Sequence, residues 1–174
     1  MYVAALQASD ATQYRDLMLE AYELASDAFT STVEERRAEP EAFWVKRIVD
    51  PTGVSAAFGA FEDQDLVGTV ALEFSAKPKT KHKALVIGMY VSPVARGKGA
   101  GHALLEAVIE YARARPGILL LNLTVTEGNG PAINLYRAAG FQAFGVEPMA
   151  ILTPSGYKGK VHMSLWLQRN ASAV

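Results

Sequence analysis

Between Arg96 and Gly101 the chain reads Arg-Gly-Lys-Gly-Ala-Gly, an unusual density of glycine beside two cations. Glycines at 97, 99 and 101 allow a tight backbone turn, leave no side chains to block a close ligand, and let successive N–H groups point outward. Ala103, Leu104, Leu105, Ala107, Val108 and Ile109 follow with the spacing of a helical apolar face, so the loop runs into a helix N-terminus. The partial positive charge there, added to free amides, suits a phosphate or pyrophosphate. A dinucleotide loop needs G-x-G-x-x-G, and here the spacing is G-x-G-x-G. A Walker loop needs Gly-Lys followed by Ser or Thr, and Gly97-Lys98 is followed by Gly99. A ligand-free strand-to-helix turn is the plainer alternative. The three histidines, His82, His102 and His162, are too scattered to suggest a metal cluster, and the absence of cysteine excludes disulfides and thiolate metal sites.

The elements that must position this loop follow from the apolar pattern. Leu85 to Val91 is almost wholly apolar, as in a strand covered on both faces, and Pro93 ends its ladder. Residues 2–7 read as a first strand. Ser9 and Asp10 are placed to cap a helix carrying Tyr14, Leu17, Met18, Ala21, Leu24, Ala25, Ala28 and Phe29. Thr32-Val-Glu-Glu35 matches a capping box for a second helical segment, which Pro40 interrupts and Phe43, Trp44, Arg47 and Ile48 resume. Strands are predicted at about Val54–Phe61 and Leu66–Phe74, joined by a hairpin at Glu62–Asp65. After the helix ending near Arg115, Ile118–Val125 is a further buried strand. A short helix from about Pro131 to Ala139 and strands at Phe141–Glu147 and Val161–Leu167 complete the chain. The order β-α-α-β-β-β-α-β-α-β-β predicts one α/β domain over residues 1–174 with a mixed sheet of about seven strands and about four helices.

Composition narrows the function. Half of the 174 residues are hydrophobic, a fifth are charged, and the net charge is −1, so no global field recruits nucleic acid or anionic membrane. The basic stretch Lys77–Lys83 reads as a solvated turn, or alternatively as an attractor for an acidic partner or for phosphates. It has no aromatic interleaving of the kind that binds single-stranded nucleic acid. The N-terminus lacks the basic region and long apolar core of a signal peptide, and the longest apolar runs fall short of a membrane span. A cytoplasmic location is the expectation, with no membrane partner.

A second motif, Asn129-x-x-Ala132-x-x-Leu135-Tyr136-x-x-x-Gly140-Phe141, follows the second buried strand. Together with Val91-x-Pro93 and Arg96-x-x-Gly99-x-Gly101, it closely resembles the two signatures of the GNAT superfamily of N-acetyltransferases, in family order and at family spacing. Gly88-Met-Tyr-Val91 and Gly145-Val-Glu-Pro148 are similar to a bacterial subgroup with varied acceptors. The resemblance implies a GNAT-like fold with splayed central strands and acetyl-CoA as co-substrate, without a metal. It implies that Tyr90 and Val91 offer backbone groups to the pantetheine arm, which lies like an added strand. Arg96, Gly97, Lys98, Gly99, Ala100 and Gly101 would cradle the pyrophosphate through backbone N–H groups, with Arg96 adding electrostatic support. Asn129 would touch the cofactor and Tyr136 would protonate the departing thiolate.

The implied reaction moves an acetyl group to a primary amine on a small molecule or peptide. Without cysteine no acyl-cysteine intermediate can form, so transfer is expected to be direct. The family's usual central-strand carboxylate is missing from Ala84–Val91, and Glu73, His82, Glu147 or a water chain stand as open alternatives for the base. The resemblance puts the acceptor pocket between the first two helices and the last hairpin, from Phe29, Thr32, Glu35, Phe43, Trp44 and Pro148–Tyr157, with Glu34 and Glu35 as candidates to bind a cationic amine. Glu34 and Glu35 read equally as solvated first-turn acids. A homodimer is allowed. The competing class is a non-catalytic acyl-CoA-binding sensor or scaffold.

Overall fold

The structure is a computed structural model that describes residues 1–167. It opens with strand β1 (Tyr2–Ala5), helix α1 (Ala11–Leu24) and the short helices α2 (Val33–Arg37) and α3 (Glu41–Ile48). Strands β2 (Ser55–Glu62), β3 (Asp65–Phe74) and β4 (Lys83–Val91) come next, then helix α4 (Ala100–Ala114). Strand β5 (Leu120–Thr126), helix α5 (Gly130–Ala138) and the hairpin β6 (Gln142–Thr153) and β7 (Gly156–Trp166) follow. All seven strands form one mixed sheet in the order β1-β2-β3-β4-β5-β7-β6, with β4–β5 its parallel pair.

Among the described residues five α-helices stand, where about four were expected. Pro40 has no N–H to continue α2, so the second helical segment divides there into two. The capping box at α2 forms as the sequence implies: Glu35 N–H donates to Thr32 Oγ1 at 3.2 Å, and Thr32 N–H donates to the Glu35 carboxylate at 2.8 Å. Asp10 behaves differently. Its carboxylate accepts from Gln7 N–H at 2.8 Å, which closes the 3-10 turn before α1 rather than capping α1 itself.

Helices pack on both faces of the sheet. One face buries Tyr14, Leu17, Met18 and Ala21 of α1 with Trp44 and Ile48 of α3. The other buries Leu104, Leu105, Val108 and Ala112 of α4 with Tyr136 of α5. Each such large side chain contributes about 1.5–3 kcal/mol on leaving water. The helix that follows the glycine loop is therefore held by its own apolar stripe.

The last hairpin is longer than the sequence suggests. Pro148 reads as a strand end, yet β6 continues to Thr153 through an irregularity between Glu147 and Ile151, where Met149 sits at φ 51°. Proline is tolerated because β6 is an edge strand and the ladder is already broken at that bulge. Phe144, Val146, Met149 and Leu152 of β6 are exposed.

Candidate active site

β4 and β5 pair in only three places: Lys83 with Leu120, Ala84 with Leu121, and Leu85 with Asn122. Beyond Leu85 they part. The register of β3 against β4 shifts between Thr69 and Ala71, opposite Gly88, whose φ is 62°. An extra residue on β4 at that point bends the strand away from β5, and glycine accepts the left-handed conformation the bulge requires. The apolar run that reads as a fully buried strand is accordingly only half-buried at Ile87, Gly88 and Met89. A cavity of about 780 Å³ fills the gap, lined by Val86–Val91 on one wall and by Thr124–Thr126 and Lys160 on the other.

The glycine loop closes one end of this cavity. Gly97 and Gly99 lie at φ 75° and 86°, and Gly99 is the residue before α4. The helical ladder begins with Ala103 N–H donating to the Gly99 carbonyl at 3.0 Å. The amides of Ala100, Gly101 and His102 thus stand at the open helix end. Gly97, Gly99, Ala100, Gly101 and His102 all line the cavity.

Three residues of the loop are committed within the protein itself. Arg96 does not reach out as a free cation: its Nε donates to the Val91 carbonyl at 3.0 Å and its guanidinium lies 5.8 Å from the Tyr90 ring centroid. It clamps the loop to the end of β4, and it occupies a Val91 backbone acceptor that the resemblance assigned to a ligand. Lys98 is absent from the lining; its Nζ pairs with the Glu62 carboxylate at 3.0 Å. Gly101 has an ordinary helical conformation, and a Cβ there would meet Leu135 Cδ2 at 3.2 Å, so its smallness serves helix packing.

Tyr90 packs its ring into the core on the α1 face of the sheet. Its hydroxyl donates to Glu20 Oε1 at 2.9 Å, and burial, with help from that carboxylate, pushes its pKa up to about 12. Asn129 uses its Oδ1 to accept from Ala132 N–H at 3.2 Å, capping α5, and the residue also lines the cavity. Tyr136 lines it too. Its ring is buried edge-to-face against Phe141, 6.0 Å between centroids. Burial alone pushes its pKa up to about 12, so the phenol keeps its proton throughout the neutral range.

None of the three expected bases lines the cavity. Glu73 is exposed beside Leu85, on the far side of β4 from β5. His82 immediately precedes β4, at the end remote from the glycine loop, and the basic stretch 77–83 shares that end. The nine-residue strand β4, at about 3.3 Å per residue, runs from Lys83 at the end of that stretch toward the glycine loop. Glu147 on β6 gives its carboxylate to His162 Nε2 at 3.2 Å.

Of the residues expected to form an acceptor pocket, Phe29 alone is in the cavity lining. Leu24, Ala25, Ala28, Phe29 and Thr30, from the end of α1 and the segment after it, line the cavity. Thr126 Oγ1 donates to the Asp27 carbonyl and Lys158 Nζ pairs with the Asp27 carboxylate, both at 2.6 Å, fastening this segment to β5 and β7. Thr32, Glu34, Glu35, Phe43, Trp44 and Pro148–Tyr157 are not in the lining, and Trp44 is core. Sequence reasoning missed Lys160 and His102. Alternation along Lys158-Gly-Lys160-Val-His162, read back to Gly156, puts these three side chains on one face; starting the strand at Val161 hid that pattern.

A parallel pair that splits beside an open helix N-terminus has the shape and the free main-chain groups that suit a long ligand with an amide-rich arm and an anionic end. Comparison with known proteins agrees with that class. The family model described as Acetyltransferase (GNAT) family matches residues 18–141, and the chain belongs to this family. Streptothricin acetyltransferase of Escherichia coli is 37% identical over 93 residues, covering 53% of this chain and 51% of that protein. The L-amino acid N-acetyltransferase AaaT of Escherichia coli K12 is 26% identical over 121 residues, covering 70% and 74%. The chain spans about half the length of the streptothricin acetyltransferases it matches. Among solved structures, yncA of Salmonella typhimurium, with its cofactor acetyl-CoA, superposes with a TM-score of 0.80 at 19% identity over 100% of this chain and 98% of that one. A GCN5-related N-acetyltransferase from Kribbella flavida gives 0.78 at 25% identity over 95% and 96%. Among the described residues no helix is long and apolar enough to cross a membrane, and no cluster of three or more metal-ligating side chains occurs.

Proposed function

We propose that the chain is an N-acetyltransferase that moves an acetyl group from acetyl-CoA directly to a primary amine. The observation that carries this reading is the convergence on one cavity of an unpaired β4 edge, three free first-turn amides and the phenol of Tyr136. The volume of about 780 Å³ falls in the range of ligand pockets. The unpaired edge of β4 suits the amide-rich arm, and the amides around Gly97–Gly101 suit the pyrophosphate. Asn129 and Tyr136 complete the cofactor wall.

Acetyl-CoA supplies a thioester carbonyl and a thiolate leaving group. A backbone N–H of β4 holds the oxyanion as the neutral amine attacks. Tyr136 hydrogen-bonds the sulfur as the carbon–sulfur bond breaks. With the phenol near 12 and an ordinary thiol near 8.5, complete proton transfer from tyrosine is uphill by about 4–5 kcal/mol. Tyr136 therefore acts chiefly as a donor that steadies negative charge, and the proton that finally reaches sulfur comes from the attacking amine. The cavity lining holds no carboxylate among its residues, which supports deprotonation through water or by an acceptor that arrives neutral.

Acetyl-CoA as donor carries a cytoplasmic location with it. The exposed Phe144, Val146, Met149 and Leu152 support pairing of two copies through β6, which light scattering would measure. Thiol release from acetyl-CoA across an amine panel tests the activity. Amine-dependent release supports it; tight CoA binding with no release to any amine would make the chain a binding module instead.

A further inference from the structure

Lys160 lies in β7, cross-strand from Thr126 on β5 and from Glu147 on β6, and its side chain lines the cavity. The face it occupies is fixed by its neighbours. Thr126 and Lys158, on that face, both bond Asp27 in the segment after α1. Helix α4, which carries the anion nest, packs on the opposite face of the sheet. Lys160 thus projects toward the side from which an acceptor approaches, beside Thr126, Phe29 and Thr30.

This ammonium is half-buried and makes no ion pair among the described residues. The carboxylates around it are all committed elsewhere. Asp27 pairs with Lys158 at 2.6 Å, Glu147 bonds His162 Nε2 at 3.2 Å, and Glu127 Oε2 accepts from Gly159 N–H at 3.0 Å. Desolvation accordingly depresses the Lys160 pKa, with Glu147 only partly opposing it. The ionisable lining of the whole cavity is Tyr90, Arg96, His102, Tyr136 and Lys160, with no acid to receive a polycationic acceptor. A charge left half-desolvated without a partner is costly, and a ligand that brings the missing anion recovers that cost.

We propose that Lys160 is the counter-ion for a carboxylate on the acceptor, so that the acceptor class is an amino acid or similar amino-carboxylate rather than a polyamine. This rests on the acetyltransferase reading above. Leu24, Ala28 and Phe29 on the same side make the rest of the acceptor apolar. The amine of such an acceptor is directed to the thioester while its carboxylate is held on β7.

The test pairs each acceptor with its decarboxylated form: leucine with isopentylamine, and phenylalanine with phenethylamine. Wild-type protein should favour the carboxylated member in kcat/KM. Lys160→Met should shrink that ratio by about 10- to 100-fold, chiefly through KM, as expected for loss of one charged hydrogen bond. Lys160→Arg should retain most of it, and melting curves check that the variants fold. Calorimetry on the CoA-bound protein reads the same preference without turnover, comparing N-acetylleucine with N-isopentylacetamide. An unchanged ratio in Lys160→Met overturns the proposal, as does an equal fall in kcat for both members, which would make Lys160 a proton carrier. Weakened CoA binding in Lys160→Met would also overturn it, by assigning the ammonium to a phosphate. Thiol release with neither class of amine would instead sink the transfer reading, leaving the calorimetric comparison to judge Lys160.

Discussion

Replacing Tyr136 by phenylalanine separates chemistry from packing, because the two roles of this side chain use different atoms. The ring is buried against Phe141 at 6.0 Å, and phenylalanine keeps that contact. Burial alone raises the pKa of the hydroxyl, with no hydrogen bond to a protein group contributing, so its removal leaves no protein group unpaired. Stability should change by less than about 1 kcal/mol. A hydrogen bond to a developing thiolate is worth about 1.5–3 kcal/mol, which corresponds to a fall in kcat of about 10- to 150-fold. CoA affinity should hold. The loss should shrink for acyl donors whose leaving thiol is more acidic, since these carry less charge on sulfur in the transition state. Thiol-release kinetics with acetyl-CoA and with such a donor, alongside CoA titration and a melting curve, give the answer. Full turnover of Tyr136→Phe on acetyl-CoA would reduce the residue to packing and remove the donor from the mechanism.

The same phenol predicts an alkaline limit. Its folded pKa of about 12 exceeds the unfolded value of about 10, so the stability it contributes is complete below pH 10 and is lost as pH rises toward 12. Tyr14 is shifted the same way by burial, and urea midpoints of Tyr136→Phe should fall less steeply than wild type across that window; an identical slope would contradict the burial argument. Gly99→Val should lose CoA binding in calorimetry, because its φ of 86° costs a non-glycine residue about 1–2 kcal/mol and the loop must move. Gly101→Val should instead lower the melting temperature through the Leu135 contact, and normal melting with lost CoA affinity would return Gly101 to the nest. Arg96→Ala should weaken CoA at both low and high salt, since the side chain holds the loop to Val91; a defect confined to low salt would restore a long-range phosphate role. Thiol-alkylating reagents should leave turnover untouched, and an acetylated side chain that is kinetically competent would overturn direct transfer.

Much of the frame was legible because it rests on local rules. Pro93, Gly97, Gly99 and Gly140 mark real turns, the Thr32–Glu35 capping box forms, and the apolar spacing of α4 is the face that packs. The splay came only through the family resemblance; its physical cause, the bulge at Gly88, depends on the register of β3 and is invisible along β4 alone. Side-chain commitments were harder still. Arg96 read as electrostatic support for the phosphates, and the Lys98 side chain had no assigned role; their partners, the Val91 carbonyl and Glu62, are fixed by how the loop folds back. Pro148 suggested a strand end because a proline's compatibility with an edge bulge depends on which strand lies at the edge. Lys160 was missed because its importance is relational, set by three carboxylates occupied elsewhere.

The two walls of the cavity are made of different material. The β4 edge and the glycine loop offer main-chain groups, which every residue type supplies alike, so substitution there acts mainly by spoiling shape. The opposite side offers Phe29, Thr30, Thr126 and Lys160, whose chemistry changes with each codon. Under the proposed activity, donor recognition would resist drift while acceptor preference could be rewritten one side chain at a time. The Asp27 clasp to Thr126 and Lys158 is what keeps that rewriting local: of its three residues only Thr126 borders the cavity, so an exchange at Lys160 or Thr30 leaves the segment after α1 anchored. A scaffold divided in this way lends itself to laboratory retargeting, with libraries confined to those few positions.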